Sequence, residues 1–379
     1  MKIGTVKGIE VNLHLSTLAI VGLVGFYAAS FYYSLTGVLD ILSLIIVGLI
    51  NGFIMLFSIL AHELMHSIIA LRHELNVSEI ELYMFGGVSN IEEEPRTPRS
   101  ETIISAVGPV TSLIMGGLFL APFFLSISVL GLSIPAILYV TLFYTGLTNI
   151  SLGVFNFLPA FPMDGGRILR AYLWKRRDNL LSATETASKV GYYFGWAFVG
   201  YGFFEIIFLG GGLIGGFWLI IIGFFLSNSS RNAYRQTVYE FKLSKLSARE
   251  IFTQPEESIP FDMKIKDAVR EYFMKYRRSY FPVSKDGDVV GVINVDDIQK
   301  IPMKDRAEKI IGYAMENVKD FPKVNVDETG KEAFNKLKQE QKSPKLVAVE
   351  EENKVIGFIG QNEISSAIRI SDLLFGEKI

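Results

Sequence analysis

Residues 61–70 read AHELMHSIIA, with His62 and His66 four apart and Glu63 directly after the first. On a helix, residues i and i+4 share a face, one turn apart. Two imidazoles placed in this way can bind one Zn2+ from a single element. Glu63 then sits about 100° round the helix, close enough to reach water on such an ion. Zinc lowers the pKa of that water towards about 7, and a neighbouring carboxylate can take the proton as an amide carbonyl is attacked. A plainer account would be three polar residues at a wet helix end. The preceding run FIMLFSIL, 53–60, argues against that account. It has the composition of a membrane span, where an ionisable side chain costs about 2.5–3.5 kcal/mol on insertion scales.

A hydrolytic zinc site uses three protein ligands and leaves one position open. The chain has no cysteine and only four histidines. His73 follows Arg72, and His14 begins an apolar run, so both read as interfacial. The better third ligand is Asp164, the only acid in NFLPAFPMDGGRILR, 156–170. Pro159 and Pro162 prevent a regular helix before it, and Gly165 and Gly166 let the backbone turn tightly. Irregular backbone at membrane depth is tolerated where it is buried in protein or lines a cavity. A break of this kind suits a loop that presents one carboxylate.

The elements that must carry these residues follow from composition. Half of the 379 residues are apolar, and the mean hydropathy is +0.33. Up to Asn232 the chain holds 12 Lys and Arg and 14 Asp and Glu, whereas the rest holds 25 of each. The first part is membrane-like and the second soluble-like. A net charge of −2 points away from nucleic acid. With about 20 apolar residues needed per span, six candidates appear, near 15–33, 38–71, 103–127, 134–158, 190–208 and 213–226. The first has few preceding positive charges and no small-residue cleavage site, so it reads as a retained span. The second is too long for one crossing, so it either projects from the bilayer or breaks near Asn51-Gly52.

Connections 34–37, 128–133 and 209–212 contain no Lys or Arg, whereas the alternate ones hold Arg72, Arg96 and Arg99, then Arg167 to Arg177, then Arg231 and Arg235. The positive-inside rule places both termini and those basic loops in the cytosol, and with them the ends that carry His62, His66 and Asp164. The alternation of Ile80, Leu82 and Met84, followed by Gly86-Gly87, predicts a small β element on that same side. GGGLIGG, 210–216, lacks the Lys-Ser/Thr of a phosphate loop and reads as a turn.

The tail repeats itself. FPVSKDGDVVGVINVDDI, 281–298, aligns without gaps on VAVEEENKVIGFIGQNEI, 347–364. Each unit predicts a helix, a strand, a short turn, a second strand and an acidic helix start. Two such units can bury their sheets against each other.

HELMH followed about 90 residues later by NFLPAFPMDGGR resembles the site-2 protease family of intramembrane zinc peptidases. GGV at 86–88 and GPVTS at 108–112 are similar to family elements. The resemblance covers roughly 7–232. It implies one zinc held by His62, His66 and Asp164, Glu63 as general base, and Asn156 helping to stabilise the oxyanion. Met65 stands where many relatives have Gly, at a position facing away from the ligand pair. The tail resembles a tandem pair of CBS domains. Such pairs often bind adenine nucleotides through a Ser/Thr and an Asp after the second strand. Here those positions are Asn294 and Asp297, then Gly360 and Glu363. The hydroxyl is lost twice and the Asp kept once, so a homodimerising or substrate-sensing module stands beside nucleotide binding.

The resulting expectation is an α-helical polytopic membrane protein with about six transmembrane helices and a small β element, then an α/β tandem CBS domain. The divisions are a protease domain at 1–232, a linker at 233–244 and the CBS pair at 245–379. It would sit in the lipid bilayer of the cell membrane and cut transmembrane segments of other proteins. The substrate would add as an extended strand near 83–90, where Gly86, Gly87 and Val88 allow close approach. The rivals are a CBS-regulated metal or ion transporter or channel, and an inactive relative that only binds membrane partners.

Overall fold

The structure, a computed structural model of the whole chain, describes residues 1–83, 86–91, 94–126, 134–209, 213–252, 257–340 and 344–375. It divides into two compact units, Met1–Arg235 and Gln236–Ile379.

The first unit begins with a hairpin, β1 (Lys2–Val6) and β2 (Ile9–Leu13), followed by α1 (Thr17–Thr36) and α2 (Ile41–Arg72). Then come β3 (Val77–Tyr83), β4 (Gly86–Ile91), α3 (Pro98–Phe124), α4 (Ala136–Asn156), α5 (Asp164–Arg177), α6 (Leu180–Phe204) and α7 (Leu213–Ser244). The strands form one sheet in the order β1-β2-β3-β4, with β2 and β3 parallel and the other pairs antiparallel. Ile9, Ile80 and Leu82 from one face of the sheet are buried with Met55, Ile59 and Ala70 of α2 and Ile104 of α3. The sheet is thus pinned to the part of α2 that holds the histidines. The hairpin β1–β2 was not expected, although Ile9, Val11 and Leu13 alternate after a Lys7-Gly8 turn.

The helices α1, α2, α3 and α4 are long and apolar enough to cross a membrane. The two further expected spans fall on α6 and α7. Asp40 caps α2 by accepting from the backbone N–H groups of Leu42 and Ser43, and Thr97 with Ser100 forms a capping box ahead of Pro98 on α3. The helix α2 is unbroken over 32 residues. At Asn51 the side chain donates to Val47 O and accepts from Thr145 Oγ1, so this polar residue joins α2 to α4 and leaves the helix intact. At about 1.5 Å per residue, α2 outruns a bilayer core and carries His62 and His66 in its last third. Small residues bring helices close: a Cβ on Gly116 of α3 would lie 3.0 Å from Gly146 O of α4. Of the 210–216 run, 210–212 lie outside the described residues, and α7 starts at Leu213. The helix α7 continues through 233–244 to Ser244, so its residues from Gln236 onward belong to the second unit.

The second unit contains α8 (Ala248–Ile251), β5 (Ile259–Pro260), α9 (Ile265–Ala268), α10 (Met274–Tyr276), β6 (Tyr280–Lys285), β7 (Asp288–Asn294) and α11 (Val295–Gln299). It continues with β8 (Glu316–Asn317), β9 (Lys323–Asn325), α12 (Gly330–Gln339), β10 (Val347–Glu351), β11 (Lys354–Ile359) and α13 (Gln361–Phe375). The internal repeat is structural. Hairpins β6–β7 and β10–β11 shift register at matching places, Val283/Ser284 and Val349/Glu350. Their turns take positive φ at matching residues, Asp286-Gly287 and Glu352-Asn353, as tight two-residue hairpins require. Each repeat has its own core, and a third cluster joins Val292 of one to Leu346, Ala348 and Phe358 of the other.

Candidate metal centre

Three donor atoms meet at the end of α2. His62 Nε2 lies 3.2 Å from His66 Nε2, and Asp164 Oδ2 lies 3.2 and 3.3 Å from them. Ligands on a tetrahedral zinc at about 2.0–2.2 Å stand roughly 3.3 Å apart, so this triangle has the size the ion needs. The far side of each ring is also committed. His66 Nδ1 is 2.6 Å from Ile104 O, and His62 Nδ1 is 2.9 Å from Ser112 Oγ. A carbonyl only accepts, so the His66 proton is on Nδ1 and the Nε2 lone pair points at the centre. A Cβ at Gly108, on the helix that supplies both partners, would lie 2.1 Å from His66 Nε2 and 2.7 Å from His62 Nε2. The absence of a side chain there keeps the convergence point open. The donor set and its surroundings fit zinc.

Asp164 is the first residue of α5, after the Pro-interrupted loop. Ser230 Oγ donates to Phe161 O at 2.5 Å, and the Arg170 guanidinium lies 4.9 Å from the centre of the Phe161 ring. Gly165 and Gly166 act differently from the expected tight turn. Both lie in the first helical turn, where a Cβ would strike Phe157 O at 2.2 Å or Phe161 N at 2.0 Å. They let the loop fold back on the helix start, and this close approach aims the Asp164 carboxylate.

Glu63 shares with the three donors a cavity of about 440 Å3, also lined by Asn156, Gly86, Gly87 and Arg167. A Cβ on Gly87 would lie 2.2 Å from Glu63 Cγ, so β4 backs directly onto the carboxylate. Gly86 has φ +129°, which suits glycine. Val88 pairs with Glu81 through the strand backbone; its side chain lies outside the described atoms. The strand β4 is an edge of the sheet. Asn156 lines the cavity while one of its amide N–H groups donates to Leu152 O at 3.0 Å. Sequence reasoning missed Ile104, Gly108, Ser112 and Arg167. The i+4 spacing of Gly108 and Ser112 within GPVTS was a signal for two of them. His14 stands apart from the donor group, with Nδ1 2.8 Å from Ser16 Oγ and its ring beside Tyr83, and His73 is the C-cap of α2.

In the second unit, Asn294 caps α11 by accepting from the backbone N–H of Asp297. Asp297 Oδ1 pairs with Lys300 at 2.8 Å, and its Oδ2 is buried. Glu363 accepts from Gly360 N–H at 3.0 Å. Burial, with Glu363 beside it, pushes the Tyr280 hydroxyl well above the ordinary tyrosine range. Asn294 and Asp297 thus interact within the first repeat, whereas Glu363 caps within the second and also lies beside Tyr280 of the first.

The family model for Peptidase family M50 matches residues 51–136 and 125–199, and that for the CBS domain matches 248–304. Rip3 of Mycobacterium tuberculosis, named as a zinc metalloprotease, is 30% identical over 311 residues, 82% of this chain and 78% of its own. Zinc metalloprotease MJ0392 of Methanocaldococcus jannaschii is 29% identical over 325 residues, 85% of this chain and 86% of its own. Among solved structures, the site-2 protease from Methanocaldococcus jannaschii is similar at 25% identity and a TM-score of 0.44, covering 62% of this chain and 95% of that one.

Proposed function

Because the chain belongs to peptidase family M50, the site-2 protease family, we propose that it hydrolyses peptide bonds in transmembrane segments of other membrane proteins. It is a zinc metalloprotease. In our reading His62, His66 and Asp164 hold the ion, and the observation that carries this is their triangle of donor atoms, 3.2–3.3 Å on a side. Zinc bound there would supply Lewis acidity, activating water and polarising the scissile carbonyl. Glu63 takes the proton of the attacking water and returns it to the departing amide nitrogen. In our reading Asn156, which lines the same cavity, stabilises the developing oxyanion through its second amide N–H.

A helix hides its amides in its own hydrogen bonds, so the substrate must unwind to be cut. An extended substrate strand would add at the edge of β4 in this reading, since Gly86 and Gly87 belong to that strand and line the cavity with Glu63. The full reading has six spans, with both termini, the sheet and the tail on the cytosolic side. Charge asymmetry supports that orientation. The CBS pair is a regulatory module in this reading, with an adenine nucleotide or a second copy of the chain as its partner. The transporter reading is disfavoured because ion passage has no use for Glu63 beside three converged ligands.

The test is zinc binding and cleavage by the purified full chain. Asp164→Ala is expected to weaken zinc binding by roughly 10²-fold or more and to abolish cleavage of a transmembrane substrate. Unchanged zinc affinity would remove Asp164 from the ligand set.

A further inference from the structure

Two charges in the first unit are buried as deeply as the ligands. Glu101, on the first turn of α3, is 0% exposed, and Arg170, on α5, is 3% exposed. Arg170 Nε donates to Glu101 Oε1 at 2.6 Å, and Nη2 forms an ion pair with the same oxygen at 2.5 Å. Its Nη1 donates to Glu94 Oε1 at 3.2 Å. Glu101 Oε2 has no hydrogen-bond partner among the described residues. A pair buried in this way is a poor source of stability. Desolvation offsets the attraction, and apolar residues of similar volume often serve as well. What the forked guanidinium does supply is direction, because it fixes where the carboxylate must stand.

The surroundings show what that direction would set. Glu101 is three residues before Ile104, whose carbonyl orients His66, and the same helix carries Gly108 and Ser112. Arg170 lies six residues after Asp164 on α5 and stacks on Phe161 of the preceding loop. The pair therefore ties the helix that orients both imidazoles to the helix that begins with the third ligand. We propose that Glu101 and Arg170 are positioning residues of the metal centre, setting the register of α3 against α5 so that the three donors converge. This rests on the zinc reading above. Neither residue lines the cavity, so the role is exerted through the ligands.

The test compares zinc affinity with folding in the full chain in detergent. The double variant Glu101→Leu/Arg170→Met leaves neither member of the pair as a lone buried charge. Arg170→Lys keeps the charge and loses the fork. Zinc dissociation constants are read by chelator competition, with circular dichroism and thermal melting in parallel. The double variant is expected to melt within roughly five degrees of wild type and to bind zinc about 10–100-fold more weakly. Arg170→Lys is expected to bind it about 10-fold more weakly. Should the double variant fail to fold, Arg170→Lys carries the comparison. Folded variants with wild-type zinc affinity would overturn the proposal, and so would loss of the fold in both, which would make the pair structural only. Wild type that binds no zinc would fail the zinc reading itself, a separable outcome.

Discussion

In the unit that ends at Arg235, His62, His66, Asp164, Glu101 and Arg170 are ionisable groups set among apolar helices and directed at one another. In the unit from Gln236 onward, the interior is built on Phe281, Ile293, Leu346 and Ile359, and the buried Asn294 and Asp297 sit at the start of a short helix. The contrast follows from the surroundings. Against hydrocarbon almost any apolar residue is acceptable, so the apolar residues of the spans say little and the polar ones say a great deal. In water the alternation of apolar and polar residues decides which face is buried, so the pattern itself carries the fold.

The largest break in this comparison should come from one added methyl group. Gly108→Ala places a Cβ where the two Nε2 atoms converge, and is expected to weaken zinc binding by roughly 10²-fold or more. Chelator competition measures it. Gly87→Ala presses instead on Glu63. It should lower kcat by about 10²-fold while zinc affinity and stoichiometry stay at wild-type values. Ser112→Ala removes the partner of His62 Nδ1 and should cost about 10-fold in zinc affinity. On the other side of the comparison, Phe281→Ala hollows out a fully buried position of the second unit. It should destabilise that unit by about 3–5 kcal/mol, seen by denaturant titration, with zinc content unchanged. Lys354→Ala deletes one side of an exposed pair with Asp288, 70% and 60% exposed. Its effect on stability should stay within about 1 kcal/mol.

The donor residues were legible because each violates its surroundings. Two histidines in an apolar run and one aspartate behind two prolines stand out without any fold in view. The tail repeat was legible for the opposite reason, since its matched apolar pattern and turn residues recur at one spacing. Glu101 and Arg170 were invisible because each looks ordinary where it stands. An acid in the first turn of a helix suits the helix dipole, and an arginine among Arg167, Lys175, Arg176 and Arg177 looks like part of a basic loop. Only the packing of α3 on α5 shows that the two are buried together. Ile104 was equally hidden, as its contribution is a carbonyl that any residue carries. The hairpin β1–β2 escaped because its short alternation stops where the first apolar run begins.

The most direct test of the central reading compares wild type with Glu63→Gln in detergent, measuring bound zinc per chain and cleavage of a transmembrane substrate in the same preparations. Equal zinc is expected in both, with cleavage by wild type and a rate lower by about 10²–10⁴-fold in the variant. Wild type without zinc, or a variant that cleaves as fast as wild type, would contradict it.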